Sequence, residues 1–237
     1  MKRKSDEARL PDKTPAKSQR TTRSSSSKTA DSGTAQPDSS EKMDTPTNLP
    51  IDAQDTNDTS TSISKHLTVT EVTGDIFAAP DNALLIHACN TKGSWGAGIA
   101  KAFKDRYPKA YAFHHAYCTK SNEQGKPIST GPAQLIAPMD GKPRHYIGCL
   151  FTSAGFGKKK DPPHLILAKT RPAMTDLLRQ VKELNGREGK DGVGEVRICK
   201  INSGLFGVKW EDTKKVLEDI EIEDGMRSEV VVYERKE

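Results

Sequence analysis

The first 65 residues of this 237-residue chain contain no phenylalanine, tryptophan or tyrosine. They are filled instead with small polar, charged and proline residues, as in Arg23-Ser24-Ser25-Ser26-Ser27-Lys28. Such a stretch cannot bury enough apolar surface to offset the entropy of ordering it, so residues 1–65 are expected to form a disordered tail. The domain is then expected over residues 66–237, with 185–194 as a variable, Gly-rich and charged loop. Its roughly 170 residues suffice for one sizeable core. Long apolar runs are missing as well. Nothing approaches the about 20 apolar residues of a membrane span, and Met1-Lys2-Arg3-Lys4 has no apolar run behind it, so no membrane partner and no secretory signal are expected.

The four cysteines, Cys89, Cys118, Cys149 and Cys199, form no C-x-x-C pair. Zinc spacing is therefore absent, no metal or other cofactor is expected, and reduced thiols suit a cytoplasmic or nuclear protein. The Rossmann G-x-G-x-x-G order and the P-loop G-x-x-x-x-G-K-[ST] are also missing, which excludes the common nicotinamide and nucleoside-triphosphate sites. No cysteine is followed six residues later by arginine, and no D-x-D motif occurs, so the usual thiol and two-metal phosphatase machinery is not there. The net charge of +5 says little about the domain, because residues 1–28 hold nine basic and three acidic residues while residues 29–64 hold seven acids against one lysine. Contact with nucleic acid is not expected except through that basic block.

From Lys65 the pattern changes. His66–Val72 alternates and reads as a strand, and Asn82–Cys89 is a continuous apolar run of the kind covered on both faces. Helix follows over Gly98–Tyr117 with a break at Tyr107-Pro108, then strands at Ala133–Ala137 and His145–Thr152. A long amphipathic helix, His164–Leu184, is bent or interrupted by Pro172. Glu195–Ile201 and Glu229–Tyr233 read as strands flanking a helix at Glu211–Ile220. Strands alternating with helices define an α/β domain with a mainly parallel, helix-covered sheet.

In such a sheet ligands bind where loops leave the carboxyl ends of strands. Asn90-Thr91-Lys92-Gly93-Ser94-Trp95-Gly96-Ala97-Gly98-Ile99-Ala100 follows a buried strand and opens a helix. Its glycines allow close backbone approach, and a helix N-terminus suits phosphate. Asn202-Ser203-Gly204-Leu205-Phe206-Gly207-Val208 is a second glycine loop between a strand and a helix. The two loops, facing one another, would cradle a diphosphate with backbone donors. A third loop, Thr152-Ser153-Ala154-Gly155-Phe156-Gly157, would add to the same rim.

Gly74-Asp75-Ile76, His87-Ala88-Cys89-Asn90 with the first glycine loop, and Asn202 to Gly207 together resemble the macro domain, and in particular its branch of stand-alone ADP-ribose 1''-phosphate phosphatases. The likeness covers about residues 67–234, and a macro-type three-layer fold with a mixed, mainly parallel sheet is what it implies. It also implies hydrolysis of ADP-ribose 1''-phosphate to ADP-ribose and phosphate, as in the metabolism of a tRNA-splicing by-product. The alternatives are a module that binds ADP-ribose or ADP-ribosylated protein, and a hydrolase that removes ADP-ribose from protein. By the resemblance Asp75 accepts a hydrogen bond from the adenine amino group, the Ile76 backbone touches the same base, Asn90 holds the distal ribose, and Gly96 to Ala100 wrap that ribose and its phosphate; Gly74, Ala88, Cys89, Trp95 and Asn202 are further substrate-binding candidates. Ser203 to Val208 hold the diphosphate, with Phe206 against the distal ribose. A related branch uses a lysine nucleophile and an aspartate in the late glycine loop; Phe206 stands at that aspartate's position here, which argues against that mechanism.

For catalysis the candidates are His87, as general acid or base, and Asn90, orienting the ribose or a water. Each site residue also has a plain structural reading. Asp75 would cap a short turn, Asn90 would form a turn at a strand end, His87 would be a satisfied core histidine, and Trp95 a hydrophobic anchor. In a regular strand His87 and Asn90 point to opposite faces, so both reach one crevice only if the strand twists or bulges. A monomer acting on a small-molecule ADP-ribose derivative is expected.

Overall fold

The computed structural model describes residues 65–188 and 192–235; the expected tail lies outside them. The order of elements is β1 (Thr68–Thr73), β2 (Leu84–Asn90), α1 (Gly98–Arg106), α2 (Pro108–Glu123), β3 (Ala133–Ile136), β4 (Tyr146–Ser153), α3 (Pro163–Glu188), β5 (Val196–Cys199), α4 (Trp210–Glu218) and β6 (Glu229–Glu234). Short 3-10 turns at Gly157–Lys159 and Gly204–Phe206 were not legible as elements in the sequence.

The strands form one sheet in the order β1-β6-β5-β2-β4-β3. Every pairing is parallel except β3 with β4, which is antiparallel. The apolar run at β2 becomes a central strand because it is covered on both faces: Leu84, Leu85, Ile86 and His87 are fully buried. Each such aliphatic side chain contributes about 1.5–3 kcal/mol by leaving water. Side-chain parity divides the two layers. Leu84 and Ile86 face α3, where a Cβ on Gly148 would come within 2.7 Å of Leu177, so glycine there leaves room for Leu177 against β4. His87 and Cys89 face the layer of α1 and α2, where Phe103 and Trp95 meet the His87 ring.

Pro108 occupies the first turn of α2, where its missing N–H is harmless, and so separates α2 from α1. Pro172 does not interrupt α3. One helix runs from Pro163 to Glu188 with the proline inside it. Burial of Ala173, Met174, Leu177, Leu178 and Val181 along one face holds the helix through the lost hydrogen bond. The same helix extends over Asn185–Glu188, which corrects the expectation that the loop begins at 185. None of the described helices is long and apolar enough to cross a membrane.

Candidate functional site

The chain leaves β2 toward α1 and β4 on one side, and leaves β5 toward α4 and β6 on the other, so the carboxyl ends of β2 and β5 flank a topological switch point. A cavity of about 930 Å3 opens there, at the upper end of the range for small-molecule and cofactor sites.

One end of the cavity is built from side chains. Asp75, Phe77, Arg106 and Tyr233 line it. The Asp75 carboxylate divides its work: Oδ1 accepts the Phe77 N–H at 3.0 Å, and Oδ2 stands 3.6 Å from the Arg106 guanidinium. That guanidinium lies over the Phe77 ring, 4.4 Å from its centroid. Asp75 therefore does cap the turn, yet about half of its side chain stays exposed. Gly74 abuts the Tyr233 ring, which the Arg197 guanidinium covers on one face at 4.4 Å. Lys200, also lining the cavity, is matched by Glu71 and Glu234.

The other end is built from backbone. α1 begins at Gly98, whose φ of 57° is strained for any residue with a Cβ. Its N-cap, Ala97, offers no side-chain hydrogen bond. The first amides of the helix are thus left for a ligand, in a place where the helix dipole favours an anion. Opposite them stands the turn Gly204–Phe206. The amides of Phe206, Gly207 and Val208 donate back to Ser203, Gly204 and Asn202. Among the described residues those of Ser203, Gly204 and Leu205 have no such backbone acceptor in the loop. Asn202 anchors the turn from below at a φ of 62°. Its amide donates to Thr170 Oγ1 at 2.8 Å, and its carbonyl oxygen accepts from Thr152 Oγ1 at 3.0 Å.

Asn90 lines the cavity, but its side chain is committed to the first glycine loop. Nδ2 donates to the Ser94 carbonyl at 2.8 Å, and Oδ1 accepts the amides of Lys92 at 3.1 Å and Ser94 at 3.3 Å. The strand does bulge where it must, with a register shift between Cys89 and Asn90. That shift does not bring His87 out. His87 has no exposed surface and does not line the cavity; it lies stacked on Phe103 at 4.3 Å and edge-on to Trp95 at 4.6 Å. The expectation that His87 reaches a substrate is therefore corrected: its face of β2 is covered by α1.

Of the other expected site residues, Gly74, Asp75, Ile76, Ala88, Gly96 to Ala100 and Asn202 to Phe206 line the cavity. Cys89, Trp95, Gly207 and Val208 do not. Cys89 and Trp95 sit in the core beside His87, while Gly207 and Val208 close the second loop behind its lining. Phe156 and Gly157 of the third loop do line the rim, whereas Ser153 is buried, its hydroxyl held between Gly155 and Asp161. Sequence reasoning missed Phe77, Ser94, Arg106, Cys199, Lys200 and Tyr233 as lining residues. Cys199 brings no nucleophile, since burial pushes its thiol up to about 12.

The sequence also hid one cluster. His87, Cys89 and Cys149 place their ligand-type atoms within 4.8 Å of one another, from two adjacent strands rather than from one spaced motif. They are buried and do not open on the cavity.

An α/β domain with two glycine loops at a switch point, rich in free backbone donors, is a domain for a ligand that carries phosphate. The comparisons with known proteins give it a family. A family model described as "Macro domain" matches residues 86–217. A Chaetomium globosum protein named ADP-ribose 1''-phosphate phosphatase is 51% identical over 165 residues, which cover 67% of this chain and 87% of the relative. An Aspergillus fumigatus protein of the same name is 42% identical, over 65% of this chain and 91% of the relative. The macrodomain of Thermus aquaticus DarG shares the fold at a TM-score of 0.52 and 24% identity, covering 70% of this chain and 98% of that one. The chain belongs to the macro domain family.

Proposed function

We propose that the protein binds ADP-ribose 1''-phosphate in this cavity and hydrolyses it to ADP-ribose and phosphate. The observation that carries the reading is the agreement of relatives and cavity. Proteins named for this activity match over 87% and 91% of their own lengths, and the chain presents a cavity whose two ends differ as the two ends of this substrate do. A further solved structure with this fold, Thermosipho africanus DarTG at a TM-score of 0.52 and 17% identity, is a complex with ADP-ribose. It covers 71% of this chain and 42% of that one.

In this reading the adenine lies at the side-chain end, its amino group donating to Asp75. The diphosphate and the distal ribose with its 1''-phosphate lie at the backbone end, between Gly96–Ala100 and Ser203–Phe206. A water attacks phosphorus, the bond from phosphorus to the 1'' oxygen breaks, and a proton reaches that oxygen to leave ADP-ribose. Charge developing on the phosphoryl oxygens meets backbone amides already aimed at it, which is where preorganised donors act most strongly. Asn90 serves the step by fixing the loop that holds those amides.

One observation favours a second reading, a module that binds ADP-ribose or ADP-ribosylated protein without turnover. No imidazole lines the cavity among the described residues. The experiment that separates the two is incubation of the purified protein with ADP-ribose 1''-phosphate, measuring released phosphate, with ADP-ribosylated protein in parallel. Phosphate release supports the phosphatase; tight binding of ADP-ribose with no release from either substrate would leave the module.

A further inference from the structure

Two loops meet at the backbone end of the cavity. One, between β4 and α3, brings Phe156 and Gly157 to the rim; the other, between β5 and α4, brings Ser203 to Phe206. At their base Thr152 bonds Asn202, and at the rim one long side chain reaches from the first to the second. Lys160 Nζ donates to the Leu205 carbonyl at 2.6 Å across 45 residues of sequence. A Cβ placed on Gly207 would lie 3.2 Å from the same Nζ, so the ammonium rests against the turn at two of its residues. Its own loop is fixed beneath it. Asp161 takes the Ala154 amide at 2.7 Å and gives its own amide to Ser153 Oγ at 3.0 Å.

The charge of Lys160 is as informative as its reach. Of the cations lining the cavity, Arg106 and Lys200 are each matched by carboxylates, while Arg235 is in no ion pair among the described residues. None of the ion pairs among the described residues includes Lys160, although it is half-buried. Its one hydrogen-bond acceptor here is a neutral carbonyl, and an ammonium has three donors. A cation left uncompensated beside a loop of free amides raises the local potential for anions, an attraction that weakens as salt rises because the ammonium is still partly open to solvent.

We propose that Lys160 is the positioning residue of the phosphate end. It ties the two loops into one wall by holding the Leu205 carbonyl, and it sets a positive charge behind the amides of Ser203 to Leu205. Lys160 does not itself line the cavity. It acts through the turn, so its effect falls on phosphate-bearing ligands and spares the adenine end. This rests on the reading above that places the phosphates at the glycine loops.

The test uses the full chain and two ligands, ADP-ribose by calorimetry and adenosine by NMR titration, at low and high salt. Lys160→Met, which removes charge and donor, should weaken ADP-ribose by about tenfold and flatten its salt dependence, while adenosine affinity stays unchanged. Lys160→Arg, which keeps both features, should restore most of the ADP-ribose affinity. Lys160→Gln, neutral but still a donor, serves if the methionine variant does not fold, and its salt dependence should be flattened too. Equal weakening of both ligands would make Lys160 a structural tie alone and overturn the proposal, as would a Lys160→Met protein indistinguishable from wild type. If the wild-type protein binds neither ligand, the functional reading fails first and the proposal falls with it.

Discussion

At the Asp75 end of the cavity the wall is made of side chains from the loop after β1, from α1 and from β6: the Asp75 carboxylate and the Phe77 ring lie against the Arg106 guanidinium, and the Tyr233 ring stands beside Gly74. At the Gly98 end it is made of two turns, Gly96–Ala100 and Ser203–Phe206, rich in glycine and alanine, with free backbone amides and with the Leu205 side chain reaching to Gly98. The first kind of wall can be altered one group at a time, so it suits selection of a base by shape and hydrogen bonding. The second kind cannot lose a donor by side-chain substitution. It can only be deformed, and it depends on residues behind it that keep the turns in place.

The comparison yields an order of expected effects. Asn90→Ala removes three hydrogen bonds that hold the first glycine loop. Displacing preorganised donors should lower kcat/KM for ADP-ribose 1''-phosphate by about 100-fold or more, which steady-state phosphate release will show. A smaller loss would mean that the loop keeps its shape without Asn90. Asp75→Ala should weaken adenine-containing ligands by about 1.5–3 kcal/mol, the worth of a hydrogen bond to a charged group. Ribose 5-phosphate should scarcely notice the change. Calorimetry with both ligands decides, and equal losses would assign Asp75 to the turn alone.

His87→Ala sharpens the contrast from the other side. Because His87 fills a core space against Phe103 and Trp95, the substitution should cost about 2–4 kcal/mol of stability. The protein that remains folded should keep kcat within about threefold, far short of the 10²–10⁴-fold loss that follows removal of a general acid or base. A large drop in kcat with unchanged melting temperature would return His87 to catalysis. The smallest effect belongs to the N-terminal residues. Every lining residue of the cavity lies after Lys65, so the fragment 66–237 should fold and bind ADP-ribose with the affinity of the full chain. Calorimetry on the fragment checks this, and lost binding in a folded fragment would bring the removed segment into the site.

The backbone end was legible in the sequence because Gly98, Gly204 and Gly207 mark turns with left-handed backbone that glycine allows. The side-chain end was legible only at Asp75 and its neighbours. Phe77, Arg106 and Tyr233 belong to three separate segments, and nothing in local pattern says that β1 and β6 will lie side by side. His87 was misread for a geometric reason. Its nearness to Asn90 in sequence suggested one crevice, yet the bulge falls between Cys89 and Asn90, beyond His87, so the histidine keeps the face that α1 covers. The extent of α3 escaped because Pro172 and Gly186 are helix breakers by propensity, and tertiary burial overrides propensity here.

One measurement addresses the claim that a single ligand spans both ends of this cavity: the product-inhibition pattern of phosphate release. ADP-ribose should inhibit competitively against ADP-ribose 1''-phosphate, with an inhibition constant equal to its calorimetric Kd. AMP, which reaches only part of the site, should compete more weakly. Non-competitive inhibition by ADP-ribose, or hydrolysis undisturbed by saturating ADP-ribose, would place the chemistry outside this cavity and contradict the account.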